Sequence, residues 1–450
     1  MEPFKFCLIT DTHYYTQANG HFNGKDQVCL NEADVIIEAA FRQISAMDDV
    51  STVLIDGDLT DSGRKNEHEG FLKKLEILKS AGKRVIAITA THDYGLKVLD
   101  ENYTRENVEP DRVMRNDLFD LYRDYGPNEA IASHSSGSYC VRLCEGCRLL
   151  ALNDDGNGRN FCGYDEDELG WILEQIRLSK ESGDYIFAMT HHPMLPPSPV
   201  FPMISERDML GNYKKTAEIL ADAGLEFMFT GHTHMQNIGS LTTEKGNTIY
   251  DINSGSLIGY PGPMRICEIS DDAMKIETIW IDDIEGLPDG NDLRTHMRLT
   301  FDAMLTEIFD KMAYDFDGFC GMAGAFSMDG NALKKYRLPI TFVGKKLQKL
   351  TIGKVGRLLF CGKKIKPEAK DLLLKDVVTE CMRNIWAGNE PYGLDTPLGA
   401  SVYAIAQRLQ PIAGRFADKL PALSDLPGFL LSLIYDGGID DHNAVLQRRK

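Results

Sequence analysis

Five short stretches of this sequence end in the side chains that hold transition metals. Asp11-Thr12-His13 follows the apolar run Phe4 to Thr10, Asp56-Gly57-Asp58-Leu59-Thr60-Asp61 follows Val53 to Ile55, and Ala90-Thr91-His92-Asp93 follows Val85 to Thr89. His191-His192-Pro193 follows Tyr185 to Thr190, and Gly231-His232-Thr233-His234 follows Met228 to Thr230. Mixed imidazole and carboxylate donors suit manganese, iron or zinc better than calcium. Singly, an Asp-x-His or a His-x-His is more often structural, since buried imidazoles commonly just satisfy backbone groups. Five of them, each at the end of an apolar run, describe a metal site.

The elements that must position these side chains follow from the intervening sequence. Short apolar runs ending in ligands read as buried strands, and open α/β sheets bind ligands at the carboxyl ends of their strands. The expectation is therefore one site at the rim of one sheet. Between the strands, Asn31 to Met47 reads as a helix with Asn31 as its N-cap and Val35, Ile36, Ala39, Ile44 and Met47 as its apolar face. A second helix runs near His68 to Ser80 with Phe71, Leu72, Leu75 and Leu78 inward; Asp165 to Ser182 and Asn212 to Ala223 are further helices. Strand alternating with helix predicts a mostly parallel sheet covered on both faces.

Other segments read as loops and edges. Tyr14 to Leu30 is a polar loop leaving the site, and Tyr94 to His134, with a helix near Arg112 to Tyr125, reads as a cap over the site edge. Ser138 to Asn153 reads as a hairpin around Glu145-Gly146. Its Cys140, Cys144 and Cys147 have a cluster-like spacing, but a tight hairpin lacks the loop that an iron–sulfur cluster needs. Asn247 to Ile252, Arg265 to Ile269 and Met274 to Trp280 alternate well enough to close a second sheet.

Composition sets the bounds. A chain of 450 residues exceeds a single core, while 43% hydrophobic and 26% charged residues are ordinary for a globular protein. The net charge of -18 argues against generic nucleic-acid binding, which needs a clustered positive surface. It also means that phosphate chemistry would need local positive charge from metal ions. No signal peptide and no apolar run long enough for a transmembrane segment is visible, so the expected localisation is cytoplasmic. Ten cysteines, several in apolar runs, read as reduced thiols.

From about Gly290 the spacing becomes helical, as at Met297, Phe301, Met304, Leu305 and Ile308, and again at Leu374, Val377, Val378, Cys381 and Ile385. The expected domains are 1–285 and a mainly α-helical 290–450, the latter a candidate for homo-oligomer formation. Lys345 to Lys366 holds eight basic residues and no acid, interleaved with apolar ones; it could dock on an anionic membrane surface or an acidic partner, and the favoured expectation is a solvated face over the acidic amino-terminal domain.

In their order, the five motifs resemble those of the calcineurin-like metallophosphoesterase superfamily: Asp-x-His, Gly-Asp-x-x-Asp, Gly-Asn-His-Asp or Glu, His-x-Pro and Gly-His-x-His. The resemblance implies an α/β fold of packed β-sheets flanked by helices over residues 1 to 285. The layout with a helical carboxyl-terminal domain is similar to bacterial class III cyclic nucleotide phosphodiesterase-like proteins. The implied activity is hydrolysis of a phosphodiester or phosphomonoester, a small phosphate-ester substrate, by a hydroxide held between two manganese, iron or zinc ions. Carried over by position, Asp11, His13, Asp58 and His234 would hold one metal, and Asp58, His191 and His232, with Thr91, the second. His92 would assist the leaving oxygen as general acid or hydrogen-bond donor, with Asp93 a candidate to orient it.

One position departs from that pattern. Ala90-Thr91 stands where the family has Gly-Asn, so a hydroxyl replaces a side-chain amide. Thr91 could still reach the metal, act through water or leave the second site weak, and the favoured expectation is that the three strong ligands keep the metal. The competing reading is a non-catalytic metal-binding scaffold on the same fold. His192 and Asp61 are expected to support ligands rather than bind metal, and His21 and Arg159 are loop residues that could touch substrate.

Overall fold

The computed structural model of the chain describes residues 1–94, 104–155, 162–204, 206–323, 329–418 and 421–449. Its strands are β1 (Phe4–Ile9), β2 (Thr52–Asp56), β3 (Arg84–Ile88), β4 (Ala132–Ser133), β5 (Tyr139–Cys144), β6 (Cys147–Ala151) and β7 (Tyr185–Met189). They continue with β8 (Phe227–Thr230), β9 (Asn237–Thr242), β10 (Thr248–Asn253), β11 (Pro263–Ile269), β12 (Ala273–Trp280) and β13 (Asn443–Gln447). They form two mixed sheets, ordered β13-β12-β11-β1-β2-β3 and β4-β5-β6-β7-β8-β10-β9. In the first, β1, β2 and β3 run parallel; in the second, β6, β7, β8 and β10 do.

Burial follows from these positions. Every residue of β2, β6 and β8 is buried, as expected of central strands covered on both faces. The two sheets pack face to face through Phe6 of β1, whose ring lies 5.5 Å from Phe187 of β7 and 5.7 Å from Phe229 of β8. On the outer face of the first sheet, Ile36, Phe41 and Ile44 of helix Ala33–Ser45 and Phe71, Leu75 and Leu78 of helix Lys65–Ser80 share one core with Cys7, Val53 and Ile55. Helices Glu166–Ser182 and Tyr213–Ala223 cover the second sheet with Ile172, Ile176, Ala217 and Leu220.

The helix ends differ from expectation where a side chain is needed elsewhere. Asn31 does not cap the first helix: its amide holds the main-chain N–H and C=O of Phe22 at 2.9 and 3.0 Å, and a 3-10 turn, Leu30–Glu32, precedes the helix. The second helix starts at Lys65, because Glu67 accepts from the main-chain N–H groups of Ser62 and Arg64. Asp165 caps its helix by accepting from Glu168 N–H at 2.9 Å. Within Tyr94 to His134, the described part covers the edge of β3 beside the core: Ala87 N–H donates to the Tyr125 carbonyl, and Leu118, Tyr122 and Tyr125 are buried.

Strand partnership corrects two further expectations. The ligand-bearing strand ends come from two sheets rather than one. The strands expected to close a second sheet are divided, since β10 joins β8 while β11 and β12 extend the first sheet beside β1. The last strand, β13, pairs antiparallel with β12, so the chain's end returns to the sheet at which the chain begins.

The chain divides into two compact units. The first comprises 1–197, 207–300 and 440–450; the second, 198–206 and 301–439, is mainly helical. Its helices include Arg337–Leu347, Ile352–Leu358, Leu374–Ala387, Pro397–Ala413 and Leu426–Ser432. Ile352, Cys361, Ile365, Val377, Leu398 and Ile405 form its core. All ten cysteines are free thiols. Among the described residues no helix is long and apolar enough to cross a membrane.

Candidate metal centre

The strand ends deliver their side chains through an uncommon backbone conformation. Asp11, His13, Asp58, His232 and His234 all have positive φ, between 37° and 66°. Non-glycine residues in this region cost free energy and persist only where surrounding structure over-determines them, typically at functional sites. The turns also need their glycines. A Cβ on Gly57, at φ 88°, would lie 2.6 Å from His191 Nδ1, and one on Gly231 would overlap Thr10 Oγ1 and Asp11 Oδ2.

Two donor sets share one carboxylate. In the first, His13 Nε2 lies 3.1 Å from His234 Nε2 and 3.6 Å from Asp11 Oδ1, and His234 Nε2 lies 3.3 Å from Asp11 Oδ1. Asp58 Oδ2 faces this group at 3.9 Å from His13 Nε2 and faces the second set at 3.0 Å from His191 Nε2. Asp58, His191 and His232 each offer a donor atom within 4.8 Å of the others. Donors bound at about 2.1 Å to one ion stand roughly 3.0–3.4 Å apart, a spacing met by the 3.1 and 3.3 Å separations in the first set and by the 3.0 Å one in the second.

The unsatisfied atoms point the same way. Asp11 Oδ1 and His191 Nε2 are fully buried, make no well-formed hydrogen bond and face other donor atoms of the cluster. The remaining atoms are fixed. Asp11 Oδ2 accepts from Thr10 Oγ1 at 2.8 Å and from His232 N–H at 2.9 Å, His191 Nδ1 meets the Asp56 carbonyl at 2.9 Å, and Asp58 Oδ1 accepts from His92 N–H at 2.9 Å. One donor atom of each is thereby left facing the cluster, as metal ligands oriented by neighbours do. The residues present fit two transition-metal ions.

Electrostatics agree. Burial disfavours charge on Asp11, but the imidazoles of His234 and His191 hold its carboxyl well below the usual range. Burial likewise opposes charge on Asp58, and His191 and His92 outweigh it. Burial and the imidazole of His192 push His232 down to about 4, which leaves the neutral ring that ligates metal. These buried carboxylates require positive charge nearby, which bound cations supply.

The other residues singled out in the sequence take the following places. Thr91 opens a single 3-10 turn, Thr91–Asp93, beyond β3. His92 is partly exposed, its ring centroid 4.6 Å from that of His13 and its Nδ1 2.5 Å from the Asp61 carbonyl. Asp93 does not orient His92. Its Oδ1 accepts from Thr60 N–H at 2.8 Å and its Oδ2 from Ala90 N–H at 2.8 Å, so the carboxylate ties two strand ends together. Burial and the neighbouring Asp58 charge push its pKa up to about 7. The carboxylate of Asp61 stays 3.9 Å from His13 Nδ1, and its carbonyl holds His92 instead. His21 is exposed, and Arg159 lies outside the described residues.

His192 is expected to point away from the donor sets as an extended neighbour, but its ring centroid lies 4.1 Å from that of His232, and it finds a partner that the sequence reading missed. Asp154 accepts from His192 N–H at 2.7 Å and meets its ring Nδ1 at 2.9 Å, and it also accepts from Thr190 Oγ1 at 2.8 Å. Asp154 follows β6, which pairs parallel with β7 and therefore ends beside His191-His192. The signal was present in the run Leu149 to Leu152 leading to Asn153-Asp154-Asp155. Treating this segment as the end of a hairpin hid a sixth strand end with carboxylates.

Comparison with known proteins follows the geometry. Residues 4–236, from β1 to just beyond His234, match the family described as calcineurin-like phosphoesterase. No curated protein sequence matches the chain. Among solved structures, a dimetal phosphatase from Danio rerio is similar at 15% identity and a TM-score of 0.46, over 61% of this chain and 95% of that one. A purple acid phosphatase from yellow lupin aligns at 9% identity and a TM-score of 0.43, over 65% and 52%. A 5'-nucleotidase precursor from Thermus thermophilus aligns at 13% and 0.35, over 69% and 60%. With more than half of its length matched, and with the motif residues gathered at one centre, the chain belongs to the calcineurin-like phosphoesterase family of metal-dependent hydrolases acting on phosphate esters.

Proposed function

We propose that this protein hydrolyses a small phosphodiester, with a phosphomonoester as the next substrate class, using two ions drawn from manganese, iron and zinc. The observation that carries this reading is the position of Asp58 Oδ2, which faces His191 Nε2 at 3.0 Å on one side and His13 Nε2 at 3.9 Å on the other. Asp11, His13, Asp58 and His234 would hold one ion, and Asp58, His191 and His232, with Thr91, the other. When bound, such a pair supplies Lewis acidity and an activated water.

The chain's own groups do the rest. With its Nδ1–H donated to the Asp61 carbonyl, the imidazolium form of His92 presents Nε2–H for the leaving oxygen. Its main-chain N–H meanwhile fixes Asp58 Oδ1, so the acid and the shared carboxylate keep one spacing. Asp93 holds the loops after β2 and β3 together and thereby positions His92 indirectly.

The test is hydrolysis of generic diester and monoester substrates by metal-stripped protein, titrated separately with manganese, iron, zinc and magnesium, beside Asp58→Asn and Thr91→Asn. Turnover that requires metal, binds two ions per chain and is lost in Asp58→Asn is expected, with a gain in Thr91→Asn. The second reading, a non-catalytic scaffold, is favoured by Thr91 alone. No turnover with any metal, with at most one ion bound, would establish it.

A further inference from the structure

The helical unit carries a feature that hydrolysis does not use. Between Asn331 and Lys366 the chain holds eleven Lys or Arg residues and no Asp or Glu, in a protein of net charge -18. Four lysines, Lys363, Lys364, Lys366 and Lys370, line one groove of about 560 Å3 together with Tyr403 and Gln407. Glu368 lies between the last two in sequence but does not line the groove. Buried Cys361, Ile365 and Ala369 anchor the segment in the unit's core, so the lysines are displayed from fixed backbone. Lys366 N–H also donates to Ser401 Oγ at 3.1 Å.

Large apolar side chains stand bare just ahead of these lysines in the chain. Phe360 is 88% exposed and Leu358 66% exposed, at the end of helix Ile352–Leu358. Phe360 also adopts φ 55°. Among the described residues, the other positive-φ non-glycine residues outside the metal centre are Asn212 and Asn389, a residue type that tolerates this region. A phenylalanine there accepts backbone strain in order to project a ring into solvent. Helix Arg337–Leu347 repeats the pattern, with Leu338 83%, Phe342 62% and Val343 51% exposed and Lys345 and Lys346 in its last turn.

A solvated basic face explains the lysines but not the bare apolar side chains. A second copy of the chain would bring one basic set against another. Basic groups interleaved with exposed Phe and Leu are the signature of an interfacial membrane surface, where apolar side chains enter the headgroup region and lysines meet lipid phosphates. We infer that the helical unit docks on an anionic phospholipid bilayer, with Leu358 and Phe360 inserted and the Lys363–Lys370 groove taking a phosphate headgroup.

The full chain should co-sediment with phosphatidylcholine vesicles that contain phosphatidylglycerol and not with phosphatidylcholine alone. The binding should weaken in about 1 M salt, where screening shortens to roughly 3 Å. Lys363→Gln with Lys364→Gln should weaken binding about 25-fold, at roughly fivefold per lysine. Phe360→Gly should weaken it on the order of tenfold while leaving thermal stability equal or higher, because the strain is relieved. Metal-dependent hydrolysis of a soluble ester serves as the fold control for both variants. Equal binding to both vesicle types, no binding to either, or binding of soluble glycerophosphate that ignores Phe360→Gly would overturn the proposal. So would salt-insensitive self-association abolished by Phe360→Gly.

Discussion

Asp154 grips His192 twice, accepting its main-chain N–H at 2.7 Å and meeting its ring Nδ1 at 2.9 Å. The residue before it, His191, is a proposed ligand of the second ion, so Asp154 sets the backbone from which that ligand projects. Asp154→Ala should lower affinity for one of the two ions about 10- to 100-fold, the scale of lost support behind a metal ligand. Titrating metal-stripped protein while counting bound ions checks this. Two ions bound with unchanged affinity would remove Asp154 from the machinery.

His92 is proposed to act on the leaving oxygen. His92→Ala should reduce kcat by about 10² to 10⁴ for an alkyl phosphodiester, the usual contribution of a general acid. The loss should be much smaller for a p-nitrophenyl ester, whose leaving group needs no proton. Metal content should stay unchanged. An equal loss on both substrates would reassign His92 to positioning Asp58.

His68 links pH to stability. It is 1% exposed, with Nδ1 2.8 Å from Tyr122 OH and Nε2 2.8 Å from the Asp93 carbonyl. These partners suit the neutral ring, and burial pushes its pKa down to about 4 from the ordinary 6.5. The unfolded chain therefore takes up a proton that the native state refuses. The stabilisation is present above about pH 6.5 and is lost as pH falls toward 4, by about 3 kcal/mol in total. Denaturant titrations from pH 8 to 4 should show a slope reduced by close to one proton in His68→Gln, which starts from a lower stability. An unchanged slope would mean that His68 titrates normally.

Arg265 holds the returning tail. Its side chain is fully buried, with Nε donating to Ser254 Oγ at 2.8 Å, Nη2 to the Asn253 carbonyl at 2.7 Å and Nη1 to the Asp441 carbonyl at 2.8 Å. Arg265→Met leaves buried carbonyls unpaired, at about 1–3 kcal/mol each. The variant should be less stable by about 3 kcal/mol, and amide exchange in β13 should accelerate more than in β1. Uniform acceleration would show that the tail has no separate tether.

The candidate metal ligands were legible because each motif is local. An apolar run followed by Asp or His needs only its own few residues to be recognised, and the order of five such runs identified the family. Helices Glu166–Ser182 and Tyr213–Ala223 were equally legible, since apolar spacing and a cap or glycine mark their ends. The sequence by itself thus determined which candidate ligands stand at the strand ends and that strands and helices alternate around them. Tertiary structure alone decided that the strand ends belong to two sheets, that β11 pairs with β1 and β12 with β11, and that β13 returns to β12. It also decided that Asp154 meets His192, and that Asp93 braces Thr60 and Ala90 rather than His92. The reason is physical: periodicity reports whether a residue is buried, whereas a strand's neighbour and a carboxylate's donor are chosen by contacts far apart in the chain.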